Sequence, residues 1–205
     1  MRKLLALFVM LVVLGVCAQS YGFLVVYNVS CPVKGVDDTT AVTIPLKGYL
    51  VLNLDDVDGD LVDANLILYG KDSDKNKVYV VLNDSDSNDF LDISIQRQGE
   101  QVIVGIDAGG PFDFESLMLG KVKATNVGLA DKQDIPGSLK GVIAVWDGIL
   151  LDTGQDVTAT GNISATNWSG ATKYINKEGW TQDQTVTQLR TDLEDKGYEA
   201  VVLLP

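Results

Sequence analysis

The feature that most constrains this chain is period-two alternation of apolar residues in short, evenly punctuated runs. Leu50, Leu52 and Leu54 alternate along one run, and Val62, Ala64, Leu66 and Leu68 along the next. The pattern continues through Val78, Val80 and Leu82, then Leu91, Ile93 and Ile95, then Val102, Val104 and Ile106. Side chains alternate across a strand, so such runs each present one face to a core. The breaks carry turn chemistry: Asp58-Gly59, Asp72 to Asn76, Asp84 to Asp89 and Gly99-Glu100. Short strands joined in order by tight turns read as an antiparallel meander. Residues 23 to 110 show no helical periodicity. The expected fold is therefore all-β, mainly an antiparallel meander, sandwich or barrel-like, with one short C-terminal helix.

That helix is signalled by Thr181-Gln182-Asp183-Gln184, where hydroxyl and amide satisfy each other's backbone N–H groups in a capping box. Val186, Leu189 and Leu193 supply its apolar stripe, and Lys196-Gly197 closes it. The apolar run Tyr198 to Leu204 follows. The apolar end segments, Phe23 to Val29 and Glu199 to Leu204, are candidates to pair with each other or with a neighbouring chain.

The second half echoes the first. Ile44-Pro45-Leu46-Lys47-Gly48 and Ile135-Pro136-Gly137-Ser138-Leu139-Lys140-Gly141 share an order of motifs, and each precedes an apolar strand. Gly35, Asp38 and Asp63 find counterparts in Gly128, Asp131 and Asp156 at nearly the same offset. An internal duplication is the expectation, with related halves at about 24–120 and 121–205. No Pro/Gly/Ser-rich linker divides them, so residues 19–205 are read as one β-rich domain.

Residues 1–18 read as a signal peptide. Met1-Arg2-Lys3 is a basic start, Leu4 to Val16 carries no charge, and Val16 and Ala18 suit cleavage before Gln19. The run is too short to span a bilayer, so no transmembrane span is expected after cleavage. The expected location is extracytoplasmic: periplasm, cell surface or extracellular. Cleavage leaves Cys31 as the single cysteine, expected as a buried thiol rather than an interchain bridge.

Composition excludes whole classes of function. The 205 residues contain no histidine, so Ser-His-Asp and Cys-His catalysis and His-ligated metals are out. With 28 acidic against 16 basic side chains the formal charge is −12, which argues against nucleic acid. Of 23 Asp, 11 fall between Asp55 and Asp92, in three successive turns. Asp56, Asp58, Asp60 and Asp63 mark the first, Asp72, Asp74 and Asn76 the second, Asp84, Asp86 and Asn88 the third. Short oxygen-bearing side chains two apart on a tight turn can converge on calcium, a hard cation taking six to eight oxygens. The first turn resembles the calcium loops of EF-hands and dockerins in its D-x-D-G-D spacing. It departs from them at Leu61 and Ile67, which stand at the sixth and twelfth loop positions. The alternative is that Asp and Asn gather here because they build turns.

Trp168 and Tyr174 flank a polar stretch and are candidates to hold a sugar ring, whereas Trp146 reads as core. Asn28, Asn83, Asn162 and Asn167 open Asn-x-Ser sequons and mark possible glycosylation. No catalytic constellation stands out, and no enzyme is expected. Three readings follow. The first is an exported acidic non-enzymatic surface or extracellular-matrix protein that acts by association, calcium-stabilised, with itself or other surface components as partner. The alternatives are a glycan-binding module and, behind it, a carboxylate-based hydrolase acting through two acids across a cleft.

Overall fold

In the computed structural model, residues 23–37, 40–55, 60–72, 75–83, 92–108, 113–122, 136–147 and 160–201 are described. They form β1 (Phe23–Asp37), β2 (Thr40–Leu54), β3 (Leu61–Lys71), β4 (Lys77–Asn83), β5 (Asp92–Gln98) and β6 (Gln101–Ala108). Then come β7 (Asp113–Lys121), β8 (Ser138–Asp147), β9 (Thr160–Asn167), α1 (Ser169–Glu178), α2 (Gln182–Glu194) and β10 (Glu199–Ala200). One sheet contains every described strand, in the order β10-β4-β3-β2-β1-β9-β8-β7-β6-β5. Among the described residues the fold is all-β with helix only near the C-terminus, as the alternation predicts.

Every pairing is antiparallel except the two-residue contact of β10 with β4. Chain neighbours are sheet neighbours throughout β1–β4 and β5–β9, and the two meanders join where β1 pairs with β9. The sheet then curls. β3 and β5 stand far apart in the strand order yet come into contact. Their inward residues, with those of every other strand from β1 to β9, form one buried cluster. Leu66 on β3, Met118 on β7 and Phe114 on β7 are among its fully buried members. Closing the sheet on itself buries one face of each strand without a second layer, the solution an isolated meander lacks.

The two Leu-Lys-Gly segments take equivalent packing positions. Leu46 and Leu139 point inward, Lys47 and Lys140 outward. A Cβ on Gly48 would stand 2.1 Å from the Ile67 carbonyl oxygen, and one on Gly141 1.8 Å from that of Leu117. In the first the close neighbour is the following strand, β3; in the second it is the preceding one, β7. The shared glycine therefore has a steric cause in both places, against different partners.

Cys31 is fully buried in this core, and burial pushes its thiol up to about 12. Phe23 to Val29, read from the sequence as a candidate to pair with Glu199 to Leu204 or with a neighbouring chain, instead lies mid-sheet, paired with β2 along its length and with β9 from Tyr27. The reason is hydrophobic: Val25, Tyr27 and Val29 face the inner core while Leu24 and Val26 face the helices. At the other end β10 adds only Glu199 and Ala200 to β4, with Val201 N donating to the Tyr79 carbonyl at 2.8 Å.

Two helices, not one, cover the outer face of β1–β4. α2 begins with both capping-box hydrogen bonds, Thr181 N to Gln184 Oε1 at 2.9 Å and Gln184 N to Thr181 Oγ1 at 3.2 Å. It ends in a Schellman turn with Gly197 at φ 78°, where Tyr198 N reaches the Leu193 carbonyl. α1 occupies the stretch that reads as polar loop, because its buried side chains act through hydrogen bonds more than apolar area. Leu24 N donates to Asn176 Oδ1 at 3.1 Å, and Asn176 Nδ2 donates back to the Leu24 carbonyl at 2.7 Å. Val26 N donates to Thr172 Oγ1 at 3.1 Å. α1 thereby satisfies the part of β1 that β9 is too short to pair, as buried backbone groups require.

Candidate functional site

The strand ends separate the aspartate turns. The β2–β3 connection and the C-terminal end of β4 lie at one end of the sheet, and the β3–β4 connection at the other. β3, with 11 residues, holds them roughly 33 Å apart at the usual strand rise. No single ion bridges that span. In the second turn Asp72 spends its carboxylate locally: Asn76 N donates to Oδ1 at 2.7 Å and Asn76 Nδ2 to Oδ2 at 2.9 Å. Lys75 at φ 69° completes the turn. In the first, Asp55 N donates to the Asp60 carbonyl at 2.8 Å, and Asp63 Oδ1 accepts from Ala64 N at 2.7 Å. These are turn-building roles. Asp56, Asp58, Asp74, Asp84, Asp86 and Asn88 lie outside the described residues. Among the described residues no group of three or more His, Cys, Asp or Glu is placed to hold a metal.

Uncommitted oxygens occur elsewhere, where the outward face of β2 and β3 meets the start of α2. Asn53 stands opposite Asp63, and Asn65 lies two residues on from Asp63 along the same face. Gln182 Nε2 donates to Asn65 Oδ1 at 2.6 Å. Asn53 Oδ1 and Gln182 Oε1 are buried with no partner. An unpaired buried carbonyl costs about 1–3 kcal/mol, and amide oxygens are calcium ligands by type. The carboxylate of Asp63 favours a cation there; the N-terminal end of the α2 dipole opposes one.

The aromatic residues regroup. Trp168, 39% exposed, stacks on Tyr49 with centroids 6.0 Å apart and planes at 22°. Tyr49 adjoins Tyr69 at 5.8 Å, and Tyr69 meets Tyr198 edge-on at 5.2 Å. Lys77 Nζ sits 5.4 Å from the Tyr198 centroid. Burial, with Tyr49 beside it, pushes the Tyr69 phenol up to about 12. Tyr174 belongs to a different contact, edge-on to Trp180 at 5.6 Å. Trp168 and Tyr174 therefore do not form one platform; Tyr49, Tyr69 and Tyr198 extend the row that Trp168 starts. Those three are invisible to a linear reading, because the row runs diagonally across strands and needs the register of β2 on β3. Beside α1 lies a half-open groove of about 660 Å³ lined by Phe23, Asn167, Lys173, Asn176 and Lys177. Asn176 is already committed to β1. Of the sequon residues, Asn28 and Asn162 are exposed within strands, and Asn83 and Asn167 are half-buried at strand ends.

A further unassigned feature is the outer face of β7 and β8. Leu117 and Leu119 on β7 are 52% and 48% exposed, and Val142 on β8 is 54% exposed. Register makes them neighbours: Leu117 lies opposite Val142, and Leu119 opposite Ile103 of β6. Meanwhile β7 turns Ser116 inward, buried, with its Oγ lacking a partner. The strand thus carries apolar residues on both faces, Phe114 and Met118 inside, Leu117 and Leu119 outside. Charged residues bound the outer patch. Asp92, Asp107 and Glu115 align in one row across β5, β6 and β7, and Lys121 and Lys140 stand toward the other end.

Compared with known proteins, the chain matches no family model and no curated protein. Among the described residues no helix is long and apolar enough to cross a membrane.

Proposed function

We propose that this protein is an exported, non-enzymatic surface or matrix component that works by association through the outer face of its β5–β9 half. One observation carries the reading: Leu117, Leu119 and Val142 form a contiguous exposed apolar patch on a strand-rich scaffold whose other outer face is covered by its own helices. Contiguous exposed apolar surface marks contact sites. The chain's lack of histidine fits a role without acid–base chemistry at neutral pH. Calcium enters as a stabiliser. The unpaired oxygens of Asn53 and Gln182 beside Asp63 favour that role at the β2–β3–α2 junction. Light scattering of the mature protein, with millimolar calcium and with EGTA, tests the reading. Concentration-dependent growth in mass supports it, and a strict monomer under both conditions contradicts it. A rise in melting temperature with calcium supports the stabilising role, and an unchanged melting temperature with no binding heat removes it.

Glycan binding is the second reading, supported by the row Trp168–Tyr49–Tyr69–Tyr198 with Lys77 at its end. Aromatic faces with polar neighbours suit pyranose rings. A glycan array probed with wild type and Trp168→Ala decides it: binding lost in the variant supports it, and an array without hits discards it.

A further inference from the structure

From the charge and apolar pattern of β6–β8, we infer that the partner on this face is a second copy of the chain, packed face to face about a two-fold axis that crosses β7 between Leu117 and Leu119. The inference rests on the association reading and names its partner and register.

The first argument is the sequence of β7 itself. A strand apolar on both faces is the mark of burial on both faces. β1, β2 and β3 obey that rule, since their outward Leu24, Val26, Tyr49, Val51 and Ile67 lie under the helices. β7 carries the same double pattern, and its outward leucines are uncovered.

The second argument is self-complementarity. The outward residues of β7 read Glu115, Leu117, Leu119, Lys121 in order, all exposed. A two-fold axis in the plane between the copies, perpendicular to the strands, lays β7 antiparallel on its own image. Leu117 then faces Leu119 of the second copy, and Glu115 faces Lys121. On β6 the same operation sets the bulky Ile103 against Gly105, and on β8 it sets Val142 against the methylene stem of Lys140. Of the acidic row, Glu115 thereby meets Lys121, while Asp107 and Asp92 face Gln101 and Gln98. A two-fold along β7 would instead set Glu115 on Glu115 and Lys121 on Lys121, so like-charge repulsion disfavours that isologous arrangement.

The third argument is size. Because the sheet curls, a second copy engages the outer face over β6–β8, three strands at about 4.8 Å spacing by seven residues at about 3.3 Å rise, a patch of roughly 14 by 23 Å. That falls below the roughly 800 Å² per partner of a standard interface. A reversible, concentration-dependent dimer follows. Packed sheets stand about 10 Å apart, which accommodates leucine against leucine. Asn162 borders the patch beside Val142, so a glycan there would obstruct the face, and the test uses protein from a host that does not glycosylate.

Sedimentation equilibrium on mature protein across a wide concentration range is the test, with circular dichroism to verify that each variant melts like wild type. Wild type is expected to pass from one to two chain masses. Leu117→Lys should remain a monomer throughout. Glu115→Lys and Lys121→Glu should each weaken the dimer about tenfold or more, and the double variant, which restores opposite charges across the axis, should recover most of the loss. Three outcomes overturn the proposal. A wild-type monomer at every concentration removes it together with the association reading. A dimer indifferent to Leu117→Lys removes it and leaves association through another surface standing. A double variant as weak as the singles removes the antiparallel register.

Discussion

On β1–β4 the outward side chains Leu24, Val26, Tyr49, Val51, Ile67 and Tyr79 lie under α1 and α2, whereas on β7 and β8 the outward Leu117, Leu119 and Val142 stand in the open. Both sets belong to one continuous sheet with one inner core. Apolar content does not separate the regions; cover does. The chain supplies its own lid for the first through residues 169–194, hydrogen-bonded to Leu24 and Val26 and to Asn65. Tyr79 Oη, in contact with Glu194 Oε1 at 2.5 Å, ties down the far end of α2. Side chains under that lid contribute to folding. The same types on the open face are free to contribute to binding.

Substitutions can break or sharpen that contrast. The largest expected effect is Leu193→Ala, which empties a buried site between α2 and the sheet and should cost roughly 2–5 kcal/mol in a denaturant titration. Loss of the inner core that both regions share should show in alkali. Burial pushes the Cys31 thiol up to about 12 from its ordinary value of 9.0, so the folded state favours the neutral thiol. Its contribution is complete below pH 9 and falls away as pH rises toward 12, by about 4 kcal/mol at most. Tyr27, whose phenol burial raises further, adds to the decline from about pH 10. Cys31→Ala should begin less stable and lose less over that range. Asn176→Ala strips both backbone partners from Leu24 and should cost about 1–3 kcal/mol, loosening α1 before the sheet. Thr181→Ala removes one half of the capping box and should cost about 1 kcal/mol. Smallest of all, Leu119→Ser on the open face should change monomer stability by no more than about 0.5 kcal/mol.

The strands of the first meander were legible because Leu50, Leu52, Leu66, Leu68, Val80 and Leu82 alternate cleanly and Asp-rich turns separate them. β7 was not legible in the same sense. Glu115-Ser116-Leu117-Met118-Leu119-Gly120 alternates apolar residues on both faces, and hydropathy alone points Leu117 and Leu119 inward. Register with β6 and β8 reverses that and buries Ser116. α1 was hidden for a related reason: Thr172 and Asn176 earn their places by bonding to a strand about 150 residues earlier, which no local pattern records. At the candidate sites, sequence located Trp168 and the aspartate turns. It missed Tyr49, Tyr69 and Tyr198, which meet Trp168 only through strand pairing, and the orphaned oxygens of Asn53 and Gln182, which exist only once α2 docks.

The contrast between covered and open faces is tested most directly by thermal unfolding of a matched pair, Ile67→Asp and Leu117→Asp, at a concentration low enough to keep the protein monomeric. Ile67 is fully buried beneath the helices, and an unpaired carboxylate there should lower the melting temperature by more than about 10 °C or prevent folding. Leu117→Asp should melt within about 2 °C of wild type. A Leu117→Asp variant destabilised as much as Ile67→Asp would contradict the account, because the β7 leucines would then be holding the monomer together.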